Sequence, residues 1–394
     1  MRRSSIELSD EGDAVTTLEL FFDLVYVFAF TQVTGLMAHG QAPGSVLDGA
    51  IVFALLWWTW CSYAWLANMA RGDRGVMRLA LLAATAAMFI ASLAIPESFH
   101  DREGGLSGPL VLVVCYAVVR FLHIGVYLVA AGTDVALRRQ VLISLAASAV
   151  PAVALLTLGV LLPDGQRPIW LVAVAYDILV IFVTSRGGGG WVVRSARHFS
   201  ERHGLIVMLA LGESVVAIGV GAAEKPVDVP IIVAAAVGIA VAIGVWLLYF
   251  LDLAGQLDHA FSRLAGRQRA HAARDVFTYL HLPIVGGIVI GALGVEQAVA
   301  HLEDGHLGAL GAWTLCGGLA VSVAAMAAAA RRLGGAWSVW RLGLAAGLVA
   351  VAPLLPDTQP WLALAIVAAA LIGTAVATHV AADQSFLEGD GGPS

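Results

Sequence analysis

The stretch "TTLELFFDLVYVFAFTQV", residues 16–33, places two carboxylates, Glu19 and Asp23, four positions apart in a run otherwise apolar and aromatic. Four residues is about one helical turn, so both acids share a face of any helix formed here. What they do depends on the solvent around that helix, and the rest of the chain defines it. Hydrophobic residues make up 59% of the sequence, charged residues 13%, and mean hydropathy is +0.85. A soluble domain carries about 25% charged residues, so the composition points to a polytopic membrane protein whose first partner is the lipid bilayer.

Working outward, hydropathy and loop composition predict helical spans near residues 17–38, 45–67, 77–96, 108–131, 141–162 and 168–185. A second set is predicted near 204–222, 230–252, 275–295, 307–330, 336–355 and 360–381. About 20 apolar residues are needed per spanning helix, and each segment meets that roughly. The loops test the count independently through the bias of basic residues toward the cytoplasm. With the N-terminus inside, the inner segments hold Arg2, Arg3, Arg71, Arg74, Arg78, Arg138 and Arg139. They also hold the arginines at 186, 194, 197, 202, 263, 267, 269, 274, 331, 332 and 341, so eighteen of the 22 Lys and Arg residues fall inside. Only Arg102, Arg167 and Lys225 fall outside, and Arg120 lies within a span. A wrong span count would scramble this alternation, so an all-α protein of twelve spans with both termini cytoplasmic is expected.

The two sets of six look related. "FIASLAIPESF" (89–99) is similar to "IVIGALGVEQAV" (288–299), and "VLLPDGQRPIW" (160–170) to "PLLPDTQPWLA" (353–363). "FFDLVYV" (21–27) lies on "LGESVVA" (211–217), setting Asp23 opposite Glu213, with all three offsets at roughly 190–200 residues. Six spans per copy makes the repeat parallel. The expected organisation is a cytoplasmic segment 1–15, a first repeat 16–186, a hinge 187–203, a second repeat 204–382 and a disordered tail 383–394. The N-terminal "MRRSSIELSDEGD" has no apolar core, so no cleavable signal peptide is expected.

Ionisable residues near the bilayer centre are costly and usually face an interior or a cavity. Here they are Glu19 and Asp23 in span 1, Arg120 and His123 in span 4, Tyr176 and Asp177 in span 6, and Glu213 in span 7. Asp252 ends span 8, and Tyr279 and His281 lie at the start of span 9, with His281 close to a kink at Pro283. "TTLE" is a capping-box pattern, which accounts for Glu19 structurally but not for Asp23, one turn deeper. Arg120 is permanently charged and needs a buried anion among Asp23, Asp177 and Glu213. Asp23, Arg120, Asp177 and Glu213 are therefore expected to converge on one interior cavity. His198 and His203, at the membrane interface, read as solvated.

Rings concentrate in "FFDLVYVFAF" (21–30) and "WWTWCSYAWLAN" (57–68). Phe21, Tyr26, Trp57, Trp58, Trp60 and Tyr63 are expected to line a cavity suited to a cationic or apolar ligand. Cys61, Cys115 and Cys316 each lie in apolar runs and suggest neither a disulfide framework nor a metal site. "RGGGGW" (186–191) follows a membrane helix rather than a strand and lacks a Lys-Ser/Thr ending, so it is no phosphate loop. No metal-spaced His/Cys set, Gly-x-Ser-x-Gly or aspartate-rich diphosphate motif occurs. No cofactor, no metal and no nucleic-acid partner is expected.

"LELFFDLVYVFAFTQ", "HFSERHGLIVMLALGESVVAIG" (198–219) and "YLHLPIVGGIVIGALGVE" (279–296) together resemble the bacterial low-temperature-requirement protein A (LtrA) family, over roughly residues 14–380. The resemblance implies Glu19, Asp23, His203, Glu213 and His281 as family-type positions. This chain has Arg202-His203-Gly204 where the family usually reads Arg-Phe-Gly, and "YFLDL" at Asp252 where it reads Tyr-Phe-Asp. The family name records cold growth rather than a reaction, so the function is argued from the residues. A transporter-like protein of the bacterial inner membrane, moving a small solute or ion with protons titrating on Asp23 and Glu213, is the leading expectation. The alternative is an intramembrane enzyme using either acid on a lipid-soluble, isoprenoid-like substrate, with rings stabilising cationic intermediates. A structural protein affecting membrane order is the third.

Overall fold

The computed structural model describes residues 10–40, 42–186, 191–223 and 225–389, with side chains to residue 379. Among the described residues every regular element is helical. Eleven helices are long and apolar enough to cross a membrane. They are α1 (Thr17–His39), α2 (Pro43–Met69), α3 (Gly75–Glu97), α4 (Gly108–Ala130), α5 (Val135–Leu161), α6 (Pro163–Ser185), α7 (Ala196–Ala222), α8 (Val229–Ser262), α9 (Gly266–Ala300), α10 (Gly308–Arg332) and α12 (Pro360–His379). Between the last two lies α11 (Val339–Leu354), a shorter apolar helix at the place of the expected eleventh span. At 1.5 Å per residue it falls short of the ~30 Å hydrocarbon core, its start set by the cap at Ser338.

Helix starts follow local chemistry. Thr16 and Glu19 form the capping box expected at α1, with Thr16 N–H donating to Glu19 Oε2 at 3.1 Å and Glu19 N–H donating to Thr16 Oγ1 at 3.3 Å. Asp134, Asp228 and Ser338 cap α5, α8 and α11 through their side chains. Pro43 and Pro109 stand in the first turns of α2 and α4, where no intrahelical donor is lost. Three helices contain π-helical turns, at Leu145–Ala149, Leu247–Leu253 and Ala273–Leu280. Such turns recur at functional sites because the extra residue re-aims side chains.

The chain divides into two compact units, residues 1–203 with 261–278, and residues 204–260 with 279–394. One boundary falls after His203. The segment 261–278, however, belongs to the first unit, because Phe261 and Phe277 pack on Phe199 at ring separations of 6.2 and 5.8 Å. Of the expected hinge, residues 187–190 lie outside the described residues, and 196–203 are the first turns of α7. In the second unit α9 and α10 approach through glycine. A Cβ on Gly318 would come within 2.6 Å of Gly291 N, so only glycine allows that contact. The last helix continues to Gly389, past the expected onset of disorder at Asp383, and 390–394 lie outside the described residues.

Candidate functional site

The two acids of α1 meet two bases of α7 with the same spacing. His198 and Arg202 are four residues apart at the start of α7, and both are buried. His198 Nε2 lies 3.0 Å from Glu19 Oε2, and Arg202 Nη2 donates to Asp23 Oδ1 at 2.6 Å. Both partners are offset by the same 179 residues, so the two helices run parallel here, in register, as a two-rung ladder. Arg202 Nη1 also reaches Glu19 Oε2 at 3.6 Å, tying the rungs together. Glu19 and Asp23 are 1% and 2% exposed.

The surroundings assign the protons. Asn68 Oδ1 accepts from Arg194 N–H at 2.8 Å, which makes its amide nitrogen the donor to Ser195 O at 2.7 Å. The same nitrogen lies 3.4 Å from His198 Nδ1. In this network Nδ1 is the acceptor, and a neutral His198 carries its hydrogen on Nε2, facing Glu19. Trp60 Nε1 donates to Asp23 Oδ1 at 2.8 Å, and the Arg202 guanidinium stands 5.5 Å from the Trp60 ring centroid. Among the described residues Asp23 Oδ2 has no hydrogen-bond partner. With a neutral imidazole the ladder holds two carboxylates and one permanent cation. One proton makes it neutral, and a buried excess charge is costly.

Arg120 answers to a different acid. Its Nη2 lies 3.4 Å from both oxygens of Asp177 and donates to Ser148 Oγ at 2.8 Å, while Nη1 donates to Ser62 Oγ at 3.0 Å. Tyr116 O–H donates to Asp177 Oδ2 at 2.9 Å, and Ser148, carried by the first π-helical turn, donates to Oδ1. The His123 ring sits between Tyr63 and Tyr127 at 5.8 and 5.4 Å. The expected single convergence thus resolves, within the first unit, into two ionic groups, and Arg120 does not pair with Asp23.

In the second unit Glu213 is buried. Asp252 does not end a helix; it lies in the π-helical turn inside α8, where Arg341 Nη2 donates to its Oδ2 at 2.6 Å. His281 is buried with Nε2 2.8 Å from Tyr249 Oη, and Tyr279 is half-buried.

The rings sort differently from expectation. Trp57, Trp60, Tyr26 and Tyr63 are fully enclosed and Trp58 is buried. They pack on one another, with Trp57 and Trp60 stacked at 5.3 Å and Phe22 on Tyr63 at 5.1 Å. Trp57 Nε1 is engaged by Thr278 O at 2.9 Å, and Tyr26 Oη by Thr59 Oγ1 at 3.0 Å. Phe21, 51% exposed, points off the opposite face of α1 beside Leu20 and Leu24. Tyr176 is 37% exposed and donates to the backbone O of Ala147. Neither lines the ionic interior, because each lies on the outward face of its helix.

The family profile for the bacterial low temperature requirement A protein (LtrA) matches residues 14–377. The chain belongs to the LtrA family. As a member of that bacterial family with many apolar helices, it is a multi-pass membrane protein. An uncharacterized protein of Rhizobium meliloti (strain 1021) is 26% identical over 296 residues, which cover 72% of this chain and 69% of that protein. No solved structure matches.

Within this LtrA-family chain, Glu19, Asp23 and Arg202 all lie in motifs that carried the resemblance. His203, at the position that usually holds phenylalanine, packs as an aromatic ring, 5.0 Å from Trp60 and 5.1 Å from Phe277. Sequence reading missed three ion-pair partners, His198, Arg202 and Arg341, and misplaced His203. His198 and His203 are buried rather than solvated, and Arg202 is a buried ion-pair partner rather than a loop anchor; Arg341 is another. The signal was present in "HFSER", where a histidine and an arginine repeat the four-residue spacing of Glu19 and Asp23.

Proposed function

We propose that this LtrA-family protein moves a small solute or ion across the bacterial inner membrane, coupled to a proton carried by the α1–α7 ladder. The observation that carries this reading is the buried set of two carboxylates, one arginine and one imidazole, one proton short of neutrality. His198 presents its Nε2 hydrogen to Glu19. Asp23 Oδ2, without a partner, is the oxygen that receives the proton; the Arg202 fork spans both acids and links the two rungs. Glu213 in the second unit is the proposed counterpart of Asp23, in keeping with a parallel duplication of six-helix units whose termini both face the cytoplasm. Intramembrane acids of this kind are the usual equipment of proton relays.

A second reading is favoured by Trp60, which donates to Asp23 and stacks on Trp57. There a protonated Asp23 is a general acid toward a lipid-soluble, isoprenoid-like substrate, and the rings stabilise positive charge.

The test uses purified protein in liposomes with a trapped pH-sensitive dye, challenged with pools of small solutes. Solute-dependent proton movement is expected in the wild type and is abolished in Asp23→Asn, which keeps the side-chain shape. Proton movement that survives Asp23→Asn contradicts the ladder as the proton site. A new compound in lipid extracts of expressing cells, without solute-linked proton movement, supports the enzyme instead.

A further inference from the structure

The proton reading requires a route from water to the ladder, and the structure offers one with a closure built over it. A cleft of about 310 Å³ lies at the N-terminal end of α1. Its deep residues are Glu19 and His198, both buried; its shallower ones are Asp13, Arg71 and Asp73, with side chains 23%, 30% and 39% exposed. Arg71 stands between the two outer acids. Its Nη1 is 3.4 Å from Asp13 Oδ1 and its Nε is 3.5 Å from Asp73 Oδ1. Both distances are long for charged hydrogen bonds, and the three side chains are partly exposed, so each pair is individually weak.

Two further contacts show what the closure covers. Among the described residues the side-chain hydrogen bonds and ion pairs of Glu19 all run through Oε2, to Thr16, His198 and Arg202. Its Oε1 faces Gly72, where an added Cβ would come within 2.9 Å, so the loop after α2 lies directly against that oxygen. From the other side the segment before α1 is strapped down. The carbonyl of Glu11 accepts from Ser195 Oγ at 2.9 Å, and its carboxylate meets Arg269 Nη2 at 3.1 Å. Ser195 Oγ in turn accepts from His198 N–H at 3.1 Å, so the strap ends on the helix start that carries the imidazole.

We propose that Arg71, bridging Asp13 on the strap to Asp73 on the loop, is a latch that closes water access to Glu19 and His198, and that its release opens the ladder to one side of the membrane. The closed structure holds Gly72 against Glu19; freeing Arg71 lets the loop and strap part. This rests on the ladder as the proton site, and it identifies the gate of that site. Gly72 is part of the device, because a side chain there would press on the Glu19 carboxylate and require it to shift.

The test reads access alone, with neither solute nor proton movement. Cys61, Cys115 and Cys316 are replaced by serine or alanine, and one cysteine is placed at Ala67, which lines the cleft from α2. Its modification by a membrane-impermeant, positively charged thiosulfonate is timed in purified protein. Slow modification is expected with Arg71 present. Arg71→Gln is expected to accelerate it about tenfold or more, as loss of weak exposed pairs shifts a local opening equilibrium. The double variant Asp13→Asn with Asp73→Asn should do the same, and Arg71→Lys should stay near the parent rate. A companion protein retaining only Cys61, which is buried, reports general loosening. Equal rates at position 67 with and without Arg71→Gln overturn the latch, and so does a parallel rise at Cys61. Acceleration at position 67 alone, with proton movement unaffected by Asp23→Asn, keeps the latch and removes the proton reading.

Discussion

Asp177 and Asp23 are each buried opposite an arginine, yet their second oxygens meet different surroundings. Both oxygens of Asp177 are engaged, one by Tyr116 and the other by Ser148 and Arg120. Asp23 concentrates Arg202 and Trp60 on Oδ1 and leaves Oδ2 without a partner. A buried carboxylate accepting on both oxygens has its acceptor sites filled, whereas one with an unused oxygen has room for a further donor or a proton. The comparison separates two jobs that look alike in sequence, an acid in a transmembrane helix. The Arg120 group ties α4, α5 and α6 together, and in the proposed function the α1–α7 ladder is where a charge changes.

The comparison breaks most readily at Arg120. Arg120→Met leaves Asp177 buried with hydroxyl partners alone, and removing one partner of a buried pair costs about 3–5 kcal/mol. Loss of the monodisperse peak after mild heating in detergent is the expected readout. A variant as heat-resistant as the parent would show that the Arg120 group is not structural. A smaller effect sharpens the other half. Glu19→Gln keeps an amide oxygen for Thr16 N–H, so it retains the cap, and the loss of the charged contacts to His198 and Arg202 is expected to lower stability by about 1–2 kcal/mol. Unfolding followed by tryptophan fluorescence measures it; a loss as large as that of Arg120→Met would put Glu19 with the structural groups.

How much of this was legible beforehand follows from what each signal depends on. Span positions depend on composition over about 20 residues, so eleven helices lie near where hydropathy puts them, and the exception is α11, which starts at the Ser338 cap. The cap at Glu19 depends on contacts within four residues, and "TTLE" shows it directly. The partner of Asp23 depends on tertiary pairing across 179 residues, which no local pattern specifies. Arg202 was assigned to a loop because basic residues near a span end usually anchor there, and α7 begins eight residues earlier than its apolar run. Counting rings could not separate Trp60, turned inward onto Asp23, from Phe21, turned outward, because the choice is one of helix face.

The most direct measurement is infrared difference spectroscopy of the purified protein between alkaline and acid buffer, reading the carbonyl band of a protonated carboxyl group. The account predicts such a band in the wild type, its loss or shift in Asp23→Asn, and its persistence in a folded Asp177→Asn variant. A band unchanged by Asp23→Asn and removed by Asp177→Asn would contradict it, moving the proton from the α1–α7 ladder to the Arg120 group.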